Sequence, residues 1–355
     1  FWKEDQKKSL DDHAEELKNV TYQEKLGTVY DKVQRIKKLT LWLAETLKAD
    51  VDMAKLSRAC DLAKADLVTN MVYEFSDVQG IMGREYARKA GEPEEVALAI
   101  YEQYLPRYAG DELPSQMGGA LLGIGERLDT LSAIYKIGME PTSSQDPYGL
   151  RRAARTINEL IWGLSLDIDL DEALGMAAEL LEMPQERLER LKAFIAQRQQ
   201  VQLREKGFSH EAVALAVQTA PSRPLQLYRL AEVLTKAAGE PWFAELVTAA
   251  VRVKNLLAKA EGEPGKVDPS KFVADAERNL YEELEKLTGK AHEAVEKCDW
   301  ETLAAIMAEL APVIAQFFND VLVMDKDPEI RANRIALLSA CQKFFMQIGD
   351  FSILK

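Results

Sequence analysis

Arginines gathered behind two Asp-Pro pairs are the first residues whose types and spacing suggest work beyond folding. Asp146-Pro147 precedes Leu150-Arg151-Arg152, and Asp327-Pro328 precedes Arg331-Ala332-Asn333-Arg334. An Asp cap followed by Pro at the first helical position is a sound helix entry, so both arginine sets are expected near the opening of a helix. Arg151 and Arg155 are four apart and share a face, while Arg331 and Arg334, three apart, are neighbours. Phe317-Phe318-Asn319 adds an aromatic element. Rings beside polar groups can stack on unpaired RNA bases, or the pair can simply be core. Phe317 fits an apolar helical stripe, which leaves Phe318 as the ring less easily buried.

Charge is uneven along the chain. The whole has a formal net charge of −13, which argues against a general nucleic-acid coat but leaves room for a local basic surface. Residues 184 to 230 carry eight Lys or Arg against four Asp or Glu, whereas residues 261 to 300 carry six against eleven. The basic stretch is a candidate RNA-facing surface, or else a solvated helix face balanced by its neighbours.

Other chemistries fit poorly. A metal-dependent phosphohydrolase needs clustered histidines, and the sequence has only His13, His210 and His292, far apart. Gly118-Gly119-Ala120-Leu121-Leu122-Gly123-Ile124-Gly125 lacks the preceding strand and the Gly-Lys-Ser/Thr ending of a phosphate loop; small residues allowing close helix packing explain it better. Asp167, Asp169 and Asp171 alternate, but the glycine and glutamate of a calcium loop are missing, so a capped loop before a helix at Glu172 is expected. No serine or cysteine stands in a nucleophile motif. Cys60, Cys298 and Cys341 are too few and too scattered for a disulfide framework or a CxxC metal site, and read as thiols in a reducing cytoplasm. No run of about 18 uncharged apolar residues suggests a membrane span, and no signal peptide is visible. The first residue is Phe1, not Met, so the chain is expected to be a fragment.

The elements that must position these residues are helices. Leu303, Ile306, Met307, Leu310, Val313, Ile314 and Phe317 fall on one face at 3.6-residue spacing, as do Leu246, Ala250, Val253 and Leu257. No alternating apolar run bounded by hairpin turns occurs, so a sheet is not expected. Breaks fall at Gly91-Glu92-Pro93, at residues 141 to 145, at residues 220 to 224 and at residues 261 to 270. At 355 residues the chain has room for two or three domains. The fold class expected is all-α, a multi-domain helical protein.

Several segments are similar to motifs of bacterial glycyl-tRNA synthetase beta subunits. They are Leu17 to Thr28 (LKNVTYQEKLGT), Ala63 to Thr69 (AKADLVT), Val78 to Gly83 (VQGIMG), Tyr104 to Pro114 (YLPRYAGDELP) and Asp146 to Ala153 (DPYGLRRA). Phe317 to Met324 and Arg331 to Leu338 (RANRIALL) resemble the same family. The matches run in order along almost the whole chain.

The resemblance implies an α2β2 heterotetramer whose alpha subunit holds the class II active site and uses ATP and Mg²⁺, leaving no cofactor and no catalytic residue in this fragment. Its partners would be tRNA-Gly and the alpha subunit, with neither DNA nor a membrane, in the cytoplasm. It further implies an HD-like helical domain over 1–165, a helical linker over 166–224 and a helical anticodon-binding domain over 225–355. The N-terminal half of a full beta subunit would be missing. HD hydrolases hold a metal with a His-Asp pair, but here the helix reads Ala63-Lys64-Ala65-Asp66, and only Asp129 remains as a late acidic counterpart. The fold is therefore expected without the hydrolase chemistry. On this reading Arg151, Arg152 and Arg155 would grip acceptor-arm phosphates, because guanidinium is planar, permanently charged and bidentate. Arg331, Asn333, Arg334 and Phe318 would meet anticodon bases, or the arginines would pair with acidic neighbours inside the bundle. The alternatives are an HD-type metal-dependent phosphohydrolase and a helical scaffold that binds only protein.

Overall fold

The computed structural model describes residues 1–260 and 264–354. The described chain is all-α, as expected. Its helices are α1 (Trp2–Asp5), α2 (Leu10–Glu16), α3 (Val29–Thr46), α4 (Met53–Leu62), α5 (Asn70–Glu74), α6 (Ile81–Lys89), α7 (Glu94–Glu102), α8 (Met117–Lys136) and α9 (Leu150–Gly163). They continue as α10 (Leu170–Leu181), α11 (Gln185–Glu205), α12 (His210–Thr219), α13 (Pro224–Ala237), α14 (Pro241–Leu257), α15 (Asp275–Glu296), α16 (Trp300–Asp320) and α17 (Pro328–Phe345). One short antiparallel ribbon, Thr21–Gln23 with Gly27–Thr28, interrupts them. It was not foreseen, because two strands this short carry no alternating apolar run.

The chain divides into two compact units. The first holds Phe1–Gln199 with Ser222–Leu225, and the second holds Gln200–Pro221 with Gln226–Lys355. The segment 166–224, expected as a separate linker, is thus shared between the two. The reason is packing: α10 buries Leu170, Ala173, Leu174, Ala177 and Leu181 and rests on α3 and α8 of the first unit.

The first unit is built around α8, buried on nearly all sides and packed on α3, α7, α9 and α10. A helix apolar all round belongs at the centre of a core. Its glycines serve close packing, as expected. A Cβ on Gly119 would stand 2.5 Å from the Glu102 Cβ, and one on Gly123 would stand 2.9 Å from the Gln103 carbonyl oxygen.

In the second unit, α16 packs along α15 and α14, and α17 lies on α14. The stripe from Leu303 to Phe317 is buried apart from Val313. By length and composition α16 could cross a membrane. It nevertheless turns its apolar stripe to its neighbours, and its Glu301, Glu309 and Asp320 break any uncharged run. The loop expected over 261–270 falls partly outside the described residues, since 261–263 are not among them.

Helix entries follow capping chemistry, with one correction. Asp169 accepts from Asp171 N and Glu172 N and caps α10, so the capped loop expected is there, but the helix begins at Leu170, two residues before Glu172, and Asp171 stands in its first turn. Asp327 accepts from Glu329 N and Ile330 N, with Pro328 at the first position of α17. Asp146-Pro147 differs, since Pro147 lies outside α9. The N-cap there is Gly149, at φ +65°, and the Asp146 carboxylate reaches forward to Leu150 N (2.8 Å) and Arg151 N (2.9 Å). A left-handed residue inserted before the helix favours glycine, and it displaces the start by a turn.

Candidate nucleic-acid interface

In the first unit, the capped start of α9 carries the three arginines predicted there. Arg152 is exposed and makes no ion pair among the described residues. Its Nη2 lies 3.1 Å from where a Cβ on Gly149 would stand, so the glycine leaves room for the guanidinium over the helix entry. Arg151 donates to the Thr142 carbonyl, and Arg155 pairs with Glu159 at 3.0 Å. Both are half-buried. Helical spacing alone could not show these tethers, because Thr142 lies in the preceding loop.

Beside Arg152 opens a cleft of about 570 Å³, lined by Lys64, Tyr104, Arg107, Glu126, Arg127 and Tyr148 among others. Sequence reasoning did not assign a role to Lys64, Tyr104 or Arg127 as site residues. They come from three segments that only α4, α7 and α8 bring together. Lys64 is 4% exposed and donates to Tyr104 Oη at 2.9 Å. Burial depresses its pKa to about 8, with Lys32 and Arg127 adding to the effect against Glu126 and Asp66.

Behind the cleft lie the carboxylates that an HD-type metal site would use. Asp129 is fully buried and accepts from Lys32 Nζ (3.0 Å) and Arg35 Nε (2.6 Å). Glu126 sits 3.4 Å from Lys32 and 4.0 Å from Lys64. Burial opposes its charge, but these lysines more than offset that and hold its pKa at about 2. Asp66 accepts from Gly80 N (2.6 Å) and Gly83 N (3.1 Å), at the entry of α6. This donor set does not fit a divalent cation. Ammonium groups already stand where they neutralise the carboxylates, and no group of three or more His, Cys, Asp or Glu able to hold a metal occurs among the described residues. His13, His210 and His292 sit on or at the start of three different helices.

In the second unit a groove of about 490 Å³ runs between α14 and α16. Phe318 lines it, half-buried, and its ring lies 5.7 Å from Phe317, which is fully buried. Arg252 of α14 stands over the Phe318 ring at 4.4 Å. Arg252 is exposed, and sequence reasoning missed it, since no local motif ties it to a ring on another helix. Gln316 and Asn319 line the same groove, the Gln316 amide nitrogen donating to Asp320 at 2.6 Å. A half-buried ring beside a guanidinium and amides is suited to a planar heterocycle.

The start of α17 departs from expectation. Asn333 is 5% exposed and clamps Asp268, its Oδ1 accepting from Asp268 N (2.7 Å) and its Nδ2 donating to Asp268 O (2.9 Å). Arg334 is 6% exposed and donates to Glu277 Oε1 (2.8 Å), Asp325 Oδ2 (2.7 Å) and the Leu322 carbonyl (2.9 Å). Both were expected to face anticodon bases. Instead the structure directs them inward, where they fix loops to α17, so Arg334 takes the alternative of pairing inside the bundle. Arg331, half-buried, donates to the Asp325 carbonyl at 3.0 Å. Phe318 and Arg331 are therefore the predicted residues of this unit that keep surface, and they lie on different helices.

Against known families, the model described as glycyl-tRNA synthetase beta subunit matches residues 1–218. The chain belongs to the glycyl-tRNA synthetase beta subunit family. That match runs past residue 165 through α10 and α11, in line with the packing of α10 onto the first unit. A second family model, described as DALR anticodon binding domain, matches residues 246–351, from within α14 to beyond α17. Relatives named glycine–tRNA ligase beta subunit align throughout. The one from Syntrophomonas wolfei is 37% identical over 358 residues, covering 99% of this chain and 52% of its own length. That from Hahella chejuensis is 36% identical over 363 residues, covering 100% of this chain and 52% of its own length. That from Clostridioides difficile is 36% identical over 356 residues, covering 99% and 52%. The chain thus spans about half the length of the curated relatives it matches. In this beta-subunit family member, the α14–α16 groove with Arg252 and Phe318 falls inside the anticodon-binding match.

Proposed function

We propose that this chain is the tRNA-binding part of a glycine–tRNA ligase beta subunit, positioning tRNA-Gly for ATP-dependent glycylation by an alpha subunit. The observation that carries the reading is the pairing of the two family matches, residues 1–218 and 246–351, with a groove of nucleic-acid character inside the second. Arg151, Arg152 and Arg155 hold acceptor-arm phosphates, with Arg152 the most available of the three. Phe318, with Arg252 at its ring, takes an unpaired anticodon base, and Arg331 adds charge from α17. ATP and Mg²⁺ act in the alpha subunit, and this chain contributes binding and orientation. The working assembly is an α2β2 heterotetramer in the cytoplasm.

A phosphohydrolase reading is disfavoured by Lys32, Arg35 and Lys64, which neutralise the carboxylates a metal would need. A scaffold that binds only protein is separated from RNA binding by salt. Phosphate contacts release counterions, so affinity falls linearly in log–log form with salt. The test is titration of the chain with tRNA-Gly and with an anticodon-substituted tRNA-Gly at two salt concentrations. Tighter binding of the natural anticodon, weakened by salt, is expected. Equal affinity for both tRNAs would remove anticodon reading from this chain, and salt-independent or absent binding would overturn the RNA role itself.

A further inference from the structure

The cleft beside α9 holds more positive charge than its own carboxylates answer. Asp129 is answered by Lys32 and Arg35. Glu126 is shared between Lys32 at 3.4 Å and Lys64 at 4.0 Å. Asp66 gives its carboxylate to the Gly80 and Gly83 amides. Arg127, buried, donates only to the neutral carbonyls of Gln103 (2.8 Å), Gly123 (2.9 Å) and Tyr104 (3.1 Å). At the rim Arg107 is paired with Asp111 and Asp77 is exposed. Glu126 and Glu159 act on Arg127 through space, but neither Arg127 nor Arg152 makes an ion pair with a carboxylate among the described residues.

Donors are in excess as well. Lys64 Nζ (2.9 Å) and Gln79 Nε2 (2.7 Å) both donate to Tyr104 Oη, which leaves the hydroxyl proton for a further acceptor. A buried ammonium is costly unless paired, and of the two buried lysines here Lys64, 4.0 Å from Glu126, is paired more loosely than Lys32, 3.0 Å from Asp129. What the cleft lacks is an anion rich in acceptor oxygens. Tyr148, exposed at the rim, adds a ring beside it.

We propose that this cleft binds a phosphate monoester, with Lys64, Tyr104 and Arg152 as its donors and Tyr148 against the attached nucleoside. The chemistry is shared by a free nucleotide and by the 5′-phosphate end of an RNA. The site goes beyond the RNA reading above, because its first test contains no RNA. Fully bidentate contact suits Arg152, the guanidinium at the cleft that is exposed and without an ion pair among the described residues. Binding also supplies the negative charge that Lys64 lacks, so the amine takes up a proton near pH 8, where Glu126, Asp66, Lys32, Arg127 and Tyr104 leave it close to half-protonated.

The experiment is calorimetric titration of the full chain with inorganic phosphate, with adenosine 5′-monophosphate and with adenosine, at about pH 8 in two buffers of different ionisation enthalpy. Phosphate and the monophosphate should bind and adenosine should not. Binding should carry proton uptake, and Arg152→Ala should weaken it by about tenfold or more. Lys64→Met should abolish the proton uptake; should that variant fail to fold, Tyr104→Phe tests the same donor set. Competition with tRNA bearing or lacking its 5′-phosphate then assigns the source. Displacement of the nucleotide only by the phosphorylated tRNA points to the RNA end, and displacement by neither points to a free nucleotide. No binding of phosphate or monophosphate, or binding indifferent to Arg152→Ala and to both inner variants, overturns the site. Either of those failures leaves anticodon-dependent tRNA binding untouched, so the two proposals fall separately.

Discussion

Arg252 of α14 and Phe318 of α16 form a cation–π pair, the guanidinium carbon 4.4 Å from the ring centroid, in the lining of a groove between the two helices. Phe318→Ala and Arg252→Ala should each weaken binding of a tRNA-Gly anticodon stem-loop. The loss for the ring is about 1–3 kcal/mol, the worth of one stacked base, and the loss for the arginine is about 0.5–2 kcal/mol. Neither side chain belongs to the buried core, so thermal unfolding should hardly change. Stem-loop titrations beside melting curves check both. Affinity retained in both variants would take the base-stacking role away from this groove.

Arg334 behaves in the opposite way. It joins Glu277, Asp325 and the Leu322 carbonyl, with its side chain 7% and that of Glu277 1% exposed. Removing one partner of a buried pair strands the other charge, at a cost of about 3–5 kcal/mol. Arg334→Ala should therefore lower stability on that scale in urea unfolding, while the protein that remains folded keeps its affinity for RNA. Arg334→Ala together with Glu277→Ala should recover part of the loss. A stable Arg334→Ala protein with selectively impaired RNA binding would return Arg334 to the interface.

Lys64 makes stability depend on pH in a definite direction. Unfolded, the amine keeps its proton up to its ordinary value of 10.5, whereas folded it lets go at about 8. Between the two, the unfolded chain binds the extra proton, so stability rises with pH through this window. Below pH 8 the cost of burying the charge is complete. Wild type should thus gain on Lys64→Met by at most about 1.4 kcal/mol per pH unit between those values, read from urea unfolding at about pH 7.5 and about pH 10. A difference between the two proteins that is flat across the window would mean that the buried amine is not destabilised.

Local chemistry made much of this protein legible in sequence. The apolar stripe from Leu303 to Phe317 repeats every 3.6 residues, and that periodicity fixes both the helix and its buried side. Asp169 and Asp327 announce helix entries because a carboxylate two or three residues ahead of free amides must cap them. The glycine run of α8 reads as close packing because it lacks the residues a phosphate loop requires. The family, too, was legible, since its motifs are contiguous strings such as Asp146 to Ala153.

Tertiary structure alone decided what the charged and aromatic side chains do. Arg334 and Arg152 look equivalent in sequence, each an arginine near the opening of a helix. One is buried against Glu277, a partner from α15, while the other is left exposed over Gly149. The HD-like carboxylates were visible as Asp66 and Asp129, but not the Lys32 and Arg35 that neutralise Asp129 from α3. Likewise the apolar stripe of α10 was readable, but only the faces that α3 and α8 offered it decided that it joins the first unit. Periodicity and capping act within a few residues and are written in the local string. Burial, pairing and electrostatic excess depend on which distant segments arrive at the same place, and only the folded chain settles that.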